Sequence, residues 1–178
     1  MRAVPAAVLV VLLVSAGRPA PGQAPVARDS AVYRTVLDSL YPRPWHYIVR
    51  EFYRPVTTVD ARGRFGFGTE PAIPESLQAR LALVLQRTGG TLADVIKEWP
   101  GARWIDSNEV VLISRNDGGV IRFAVHLSRI AYSGDGRVAV LYVRMECGAL
   151  CGSERVALVA LSADDRWHVT RIESVASF

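Results

Sequence analysis

The sequence predicts an α+β fold, in which N-terminal helices pack on a mostly antiparallel C-terminal β-meander. Two observations lead to this prediction. Apolar residues recur at helical spacing only before Pro100, whereas the rest of the chain consists of short alternating or apolar stretches separated by turn residues. Strands that follow a run of helices through short connections are typical of an antiparallel sheet with helices on a face.

The first 16 residues have the features of a secretory signal peptide. Arg2 precedes an apolar run from Ala3 to Val14, and Ala16 suits the last position before the cleavage site. A membrane anchor is the alternative, but a spanning helix needs roughly 20 apolar residues, and Pro5 interrupts this shorter run. We therefore expect an exported protein, periplasmic or extracellular, with no transmembrane segment after removal of residues 1–16.

Residues 17–28 are rich in proline and alanine and predict a tether, so that residues 29–178 form a single globular domain. Asp29 or Ser30 can cap a first helix. A second helix follows Pro74 and ends before two glycines, and Thr91 caps a short third helix. The buried positions of the first helix recur at helical spacing: Tyr33, Val36, Leu37, Leu40 and Tyr41.

Six stretches read as strands. Two of them, within 138–143 and 156–161, are apolar on both faces, which predicts a central place in the sheet with cover on each side. The helices, which come first in the chain, are expected to cover one face. The predicted strands are Tyr47–Tyr53, Val110–Ser114, Ile121–Leu127, Val138–Met145, Arg155–Leu161 and Trp167–Val175.

The net charge of +4 and the pI near 9.4 do not indicate nucleic-acid binding. Lys97 is the only lysine among 21 basic residues, and the arginines are scattered along the chain. Nucleic-acid binding requires basic residues clustered on one face or stripe. The charge fits a weak attraction to anionic components of the cell envelope instead.

Cys147 and Cys151 are the only cysteines, and they flank a turn with glycine at 148 and 152. In an oxidising compartment this spacing predicts a structural disulfide that ties one loop. A redox dithiol and a metal site are the alternatives. The metal site would need His126 or His168 as further ligands, because two thiols are too few for a closed zinc site. We predict neither a metal nor a cofactor.

The histidines do not assemble a recognisable catalytic motif. Hydrolysis would require one of them beside a nucleophile such as Ser128, oriented by a carboxylate such as Asp135, and no spacing in the sequence demands it. We therefore predict no catalytic residue. A pocket between helices and sheet is a second hypothesis, with Trp45, Tyr47 or Trp104 lining it, His126 pointing in, and His168 as a further candidate contact.

The C-terminal part of the chain resembles a group of uncharacterised exported bacterial proteins. The resemblance covers about residues 107–176 and rests on a strand with Ser128-Arg129 followed by hydrophobic residues, the Cys147 to Gly152 loop and the closing Trp167-His168-Val169 strand. It implies a secreted domain and no activity. The paired strands that end at Trp167 also look like the tail of cystatin-like or NTF2-like domains.

These observations lead to two functional hypotheses. The first is a non-catalytic exported module for binding or structure, in which a Cys147–Cys151 bridge shapes a loop that contacts a partner. The second is a small-molecule-binding or hydrolytic domain with a pocket between helices and sheet.

Overall fold

The computed structural model describes residues 25–41, 46–55, 73–97, 99–100, 102–110, 123–146 and 151–177. In these ranges the chain forms three α-helices, one 3-10 turn and seven strands. The helices are α1 (Pro25–Leu40), α2 (Glu75–Leu85) and α3 (Leu92–Val95), and the 3-10 turn is Ser107–Glu109. The strands are β1 (His46–Val49), β2 (Arg103–Ile105), β3 (Phe123–Leu127), β4 (Ala131–Tyr132), β5 (Val138–Glu146), β6 (Gly152–Leu161) and β7 (Trp167–Ser177).

The strands form one mixed sheet in the order β2-β1-β3-β5-β6-β7, with β4 paired to β5. β1 runs parallel to both β2 and β3, and every pairing from β3 to β7 is antiparallel. The C-terminal half is therefore an antiparallel meander, and the predicted α+β class is confirmed.

Helices cover both faces of the sheet. Val32, Val36 and Leu37 of α1 pack with Leu141 of β5 and Val159 of β6 on one face. On the other face, residues of α2 pack against the alternate positions of β4, β5 and β6: Leu77 and Leu81 meet Ala131, Val140, Tyr142 and Val156. The expectation that the helices cover only one face of the sheet is therefore wrong. The prediction that the central strands are covered on both sides is confirmed.

β3 and β4 lie along the same edge of β5 and are separated by a short break. Ser128 occupies this break and is fully buried. Its backbone N–H donates to the Tyr142 carbonyl at 3.0 Å, and the Tyr142 N–H donates to its hydroxyl oxygen at 2.8 Å. The serine therefore bridges the gap in the ladder and lets the chain turn outward at Arg129.

Several element boundaries differ from the prediction. α1 begins at Pro25, four residues before the expected cap at Asp29, because proline is well tolerated in a first helical turn. Four of the five residues predicted for its buried stripe are buried, and Leu40 is partly buried. β1 ends at Val49, because the Arg50 carbonyl leaves the ladder and accepts from the Leu92 N–H at 2.7 Å.

The predicted strand Val110–Ser114 lies outside the described residues beyond its first residue. Residues 1–24, which include the predicted signal peptide and most of the tether, lie outside them as well. Among the described residues, no helix is long and apolar enough to cross a membrane.

Candidate functional site

The two cysteines belong to the connection between β5 and β6. Cys151 is exposed and immediately precedes β6. Cys147 lies outside the described residues, so the predicted bridge and its redox and metal alternatives remain predictions. In the parts of the chain that the structure describes, no group of three or more His, Cys, Asp and Glu side chains could hold a metal ion.

The structure does not bring the predicted pocket residues together. His126 lies on the face of β3 that α2 shares, whereas Trp104 packs on the opposite face, against the cluster that contains α1. Tyr47 is buried in a third small cluster. His168 is exposed on β7, three strands away from β3, and Trp45 lies outside the described residues.

Ser128 and Asp135 do not form a catalytic arrangement with His126. The Ser128 hydroxyl donates to the Arg129 carbonyl at 2.9 Å and accepts from the Tyr142 N–H, so its hydrogen-bonding capacity serves the break between β3 and β4. The Asp135 carboxylate accepts from the Arg137 N–H at 3.1 Å and from Ser133 within its own turn. Both side chains therefore have structural roles.

A row of polar and charged side chains crosses three strands on the α2 face. The strand register sets His126 of β3 opposite Arg144 of β5, and Arg144 opposite Glu154 of β6. Arg144 Nη1 lies 3.2 Å from Glu154 Oε1, and the same guanidinium forms an ion pair with Glu146. The Tyr53 hydroxyl donates to Glu154, which completes what we call the polar row: Tyr53, His126, Arg144, Glu146 and Glu154.

Burial makes the electrostatics of the polar row strong. The Glu154 side chain is 5% exposed, and its Oε2 atom is buried without a hydrogen-bond partner among the described residues. His126 Nε2 approaches Glu146 Oε2 to 3.4 Å without the alignment of a hydrogen bond. The neighbouring His126 imidazole and Arg144 guanidinium hold the pKa of Glu146 below its ordinary value, against the opposing effect of burial. Burial and the bond to Glu154 raise the pKa of Tyr53 to about 12.

A groove of about 300 Å³ opens where the chain leaves β1, beside the loop that follows α2. A second pocket of about 210 Å³ adjoins it and shares Phe52, Arg87, Gly90 and Arg129. We refer to the larger one as the arginine groove. It is lined by Glu51, Phe52, Tyr53, Arg54, Leu85, Arg87, Gly89, Gly90 and Arg129.

Hydrogen bonds hold the walls of the arginine groove in place. Arg54 donates to the Arg87 carbonyl at 3.3 Å, and Arg129 donates to the Gly89 carbonyl. The Arg129 guanidinium also lies over the Phe52 ring, 4.2 Å from its centroid. Gly89 and Gly90 have φ of 80° and 68°, a region that other residues rarely adopt, so this turn depends on glycine.

Sequence reasoning missed both the polar row and the arginine groove. For the polar row a clue existed, because Arg144 directly follows one stretch that is apolar on both faces and Glu154 lies shortly before the other. The groove has a weaker clue in the glycine pair that follows Arg87. Arg54, Arg87 and Arg129 are far apart in sequence, and only the tertiary structure brings them together.

Comparison of the chain with protein-family models, with curated proteins and with solved structures gave no match in any of the three.

Proposed function

We propose that this protein is an exported, non-catalytic binding module, and that the arginine groove is its ligand site. The observation that carries the proposal is a concave site whose walls come from three separate stretches of the chain and are tied to one another by hydrogen bonds. Binding sites for small molecules are typically concave and largely preformed, with volumes from about 300 Å³ upward. The hypothesis of a pocket is thereby kept, with a different set of lining residues.

The absence of a catalytic motif in the sequence supports a binding role over hydrolysis. The described candidates for a nucleophile and an orienting carboxylate, Ser128 and Asp135, are engaged in backbone and turn contacts. The polar row meets the groove only at Tyr53, which belongs to both, and the other residues of the row do not line the groove.

Export is the second part of the proposal; it rests on the signal-peptide features of residues 1–16, and a disulfide between the two cysteines is what an oxidising compartment would allow. In the ladder of β5 and β6 the last described pair is Glu146 and Gly152. A disulfide between Cys147 and Cys151 requires a Cα separation of about 5.5 Å, and the glycines at 148 and 152 give the backbone the freedom to reach it. The bridge would then close a small loop at the end of the β5–β6 hairpin and would rarely persist in a reducing compartment.

The binding role is tested by chemical denaturation with and without pooled small metabolites. A ligand of the folded state raises the free energy of unfolding by mass action, by about 2.7 kcal/mol at a concentration 100 times the dissociation constant. Replacement of Phe52 by alanine in the groove should abolish this gain. Replacement of the exposed Leu83 on α2 by alanine should leave it intact. No gain with any pool would refute the binding role.

The export and bridge parts are tested by mass spectrometry of the mature protein. We expect a chain that begins at Gly17 and gains the mass of two hydrogen atoms on reduction, as one disulfide becomes two thiols. Because the closed loop is short, reduction should lower the free energy of unfolding by only about 2 kcal/mol. An intact Met1 with two titratable thiols would contradict the proposal.

A further inference from the structure

The arginine groove contains more positive charge than its own carboxylates neutralise. Three of its lining side chains are arginines, and one is a glutamate. The Glu51 carboxylate is engaged elsewhere, because its Oε2 accepts from the Ser107 N–H at 3.1 Å. Asp29 and Asp94 keep their negative charge, but they line only the adjoining pocket, where Asp29 accepts from the Tyr132 hydroxyl at 2.7 Å and Asp94 from the Thr91 N–H at 2.8 Å.

None of the three groove arginines forms an ion pair with another described residue, whereas other arginines of the chain do. Arg50 pairs with Asp106, Arg144 with Glu146 and Glu154, and Arg171 with Glu173. Three cations around one concavity repel each other, and an anion in the groove would relieve that repulsion.

The arrangement of the guanidinium groups suits an oxyanion. Arg54 and Arg129 each use a described hydrogen bond to the loop that follows α2, and each guanidinium has five N–H donors. The Arg129 Nε atom is buried and has no hydrogen-bond partner among the described residues. The stacking of Arg129 on Phe52 fixes the plane of its guanidinium, which favours two parallel hydrogen bonds to a carboxylate or phosphate.

We propose that the arginine groove binds a small organic molecule through a carboxylate or phosphate group held by Arg129, Arg87 and Arg54. This inference deepens the proposed binding function and rests on it. The Phe52 ring and the Leu85 side chain provide apolar surface for the remainder of such a ligand. The volume of about 300 Å³ limits the ligand to the size of a small metabolite.

The test is a titration of the full mature chain with inorganic phosphate, with succinate and with its neutral analogue succinamide, at constant ionic strength. Amide resonances of the groove, in particular those of Gly89 and Gly90, report binding by NMR. We expect saturable shifts at these glycines with phosphate or succinate and none with succinamide. The anion that binds more tightly distinguishes a phosphorylated ligand from a carboxylic acid.

Three variants make the test specific. Arg129→Gln and Arg87→Gln should each weaken binding of the anion about tenfold, as expected for loss of a charge-assisted hydrogen bond. Arg103→Gln removes the same charge from an exposed position of β2 and should change affinity less than about twofold. Arg87 is exposed, so its variant keeps the test valid even if Arg129→Gln does not fold.

Equal weakening by Arg103→Gln and Arg87→Gln would overturn the inference, because it would mean attraction to net charge alone. So would the absence of any shift at the glycines with both anions. If metabolite pools still stabilise the protein in that case, only the oxyanion inference fails. If neither the anions nor the pools bind, the proposed binding function fails with it.

Discussion

Arg144 is expected to be the most sensitive position of the polar row. It stands between two carboxylates, and one of them, Glu154, is 4% exposed. Arg144→Met would keep most of the side-chain volume and remove the charge, so that Glu154 would remain buried without its cation. Breaking a buried pair in this way costs about 3–5 kcal/mol of the free energy of unfolding.

The structure places the expected loss at the lower end of that range, about 3 kcal/mol, because the Arg144 side chain is itself 25% exposed and water can reach it. Urea unfolding at neutral pH, followed by circular dichroism, measures the loss directly. A domain of this size has a free energy of unfolding of about 5–15 kcal/mol, so such a loss is well within reach of the assay.

Two comparisons separate this explanation from a general effect of losing an arginine. Arg171→Met breaks the exposed pair with Glu173, whose side chains are 53% and 30% exposed, and should cost less than about 1 kcal/mol. Glu154→Gln added to Arg144→Met should recover at least about 1 kcal/mol, because the amide removes the isolated charge. A loss equal to that of Arg171→Met, or no recovery in the double variant, would refute the reasoning.

Two further predictions concern single polar groups. Ser128→Ala should lower the free energy of unfolding by about 2 kcal/mol in urea titrations, since it removes the hydroxyl that accepts from the buried Tyr142 N–H. Glu146→Gln should lower the free energy of unfolding at about pH 6. The difference in this free energy between the variant and the wild type should shrink as the pH falls toward about 3. The pKa of Glu146 is lowered in the folded state, so its contribution is present above its ordinary pKa and is lost as protonation proceeds through the lower folded value.

The Ser128→Ala and Glu146→Gln predictions each have their own control. Ser174→Ala changes an exposed serine of β7 and should shift the free energy of unfolding by less than about 0.5 kcal/mol. An equal effect of the two serine variants would show that the Ser128 hydroxyl does not bridge the strands. For Glu146→Gln, a difference in free energy of unfolding from the wild type that stays constant over the pH range would mean that the ion pairs of Glu146 contribute nothing to stability.

The sequence pattern predicted the helices and most of the meander because these depend on local periodicity. The stripe from Tyr33 to Tyr41 and the apolar runs within β5 and β6 identify buried faces without knowledge of their partners. The division of the helices between the two faces was beyond that reasoning. The packing of α2 on β4 and β5 depends on long-range contacts that leave no periodic trace in the chain.

The candidate sites depend even more than the fold on long-range contacts, so the sequence predicted them less well. The pocket expected from Trp104 and His126 failed because strand alternation places the two side chains on opposite faces of the sheet, and their strands are separated by β1. Arg54, which follows β1, and Arg129, which follows the break at Ser128, reach the loop after α2 only in the folded chain.

Local spacing and composition thus decided which segments become helix or strand and which of their faces are apolar, since these follow from the geometry of a single element. Strand register and the choice of sheet face decided which side chains of different elements meet. They set Arg144 between His126 and Glu154, and they gathered the arginines of the groove, because like and unlike charges far apart in the chain interact only after folding brings them within a few ångströms.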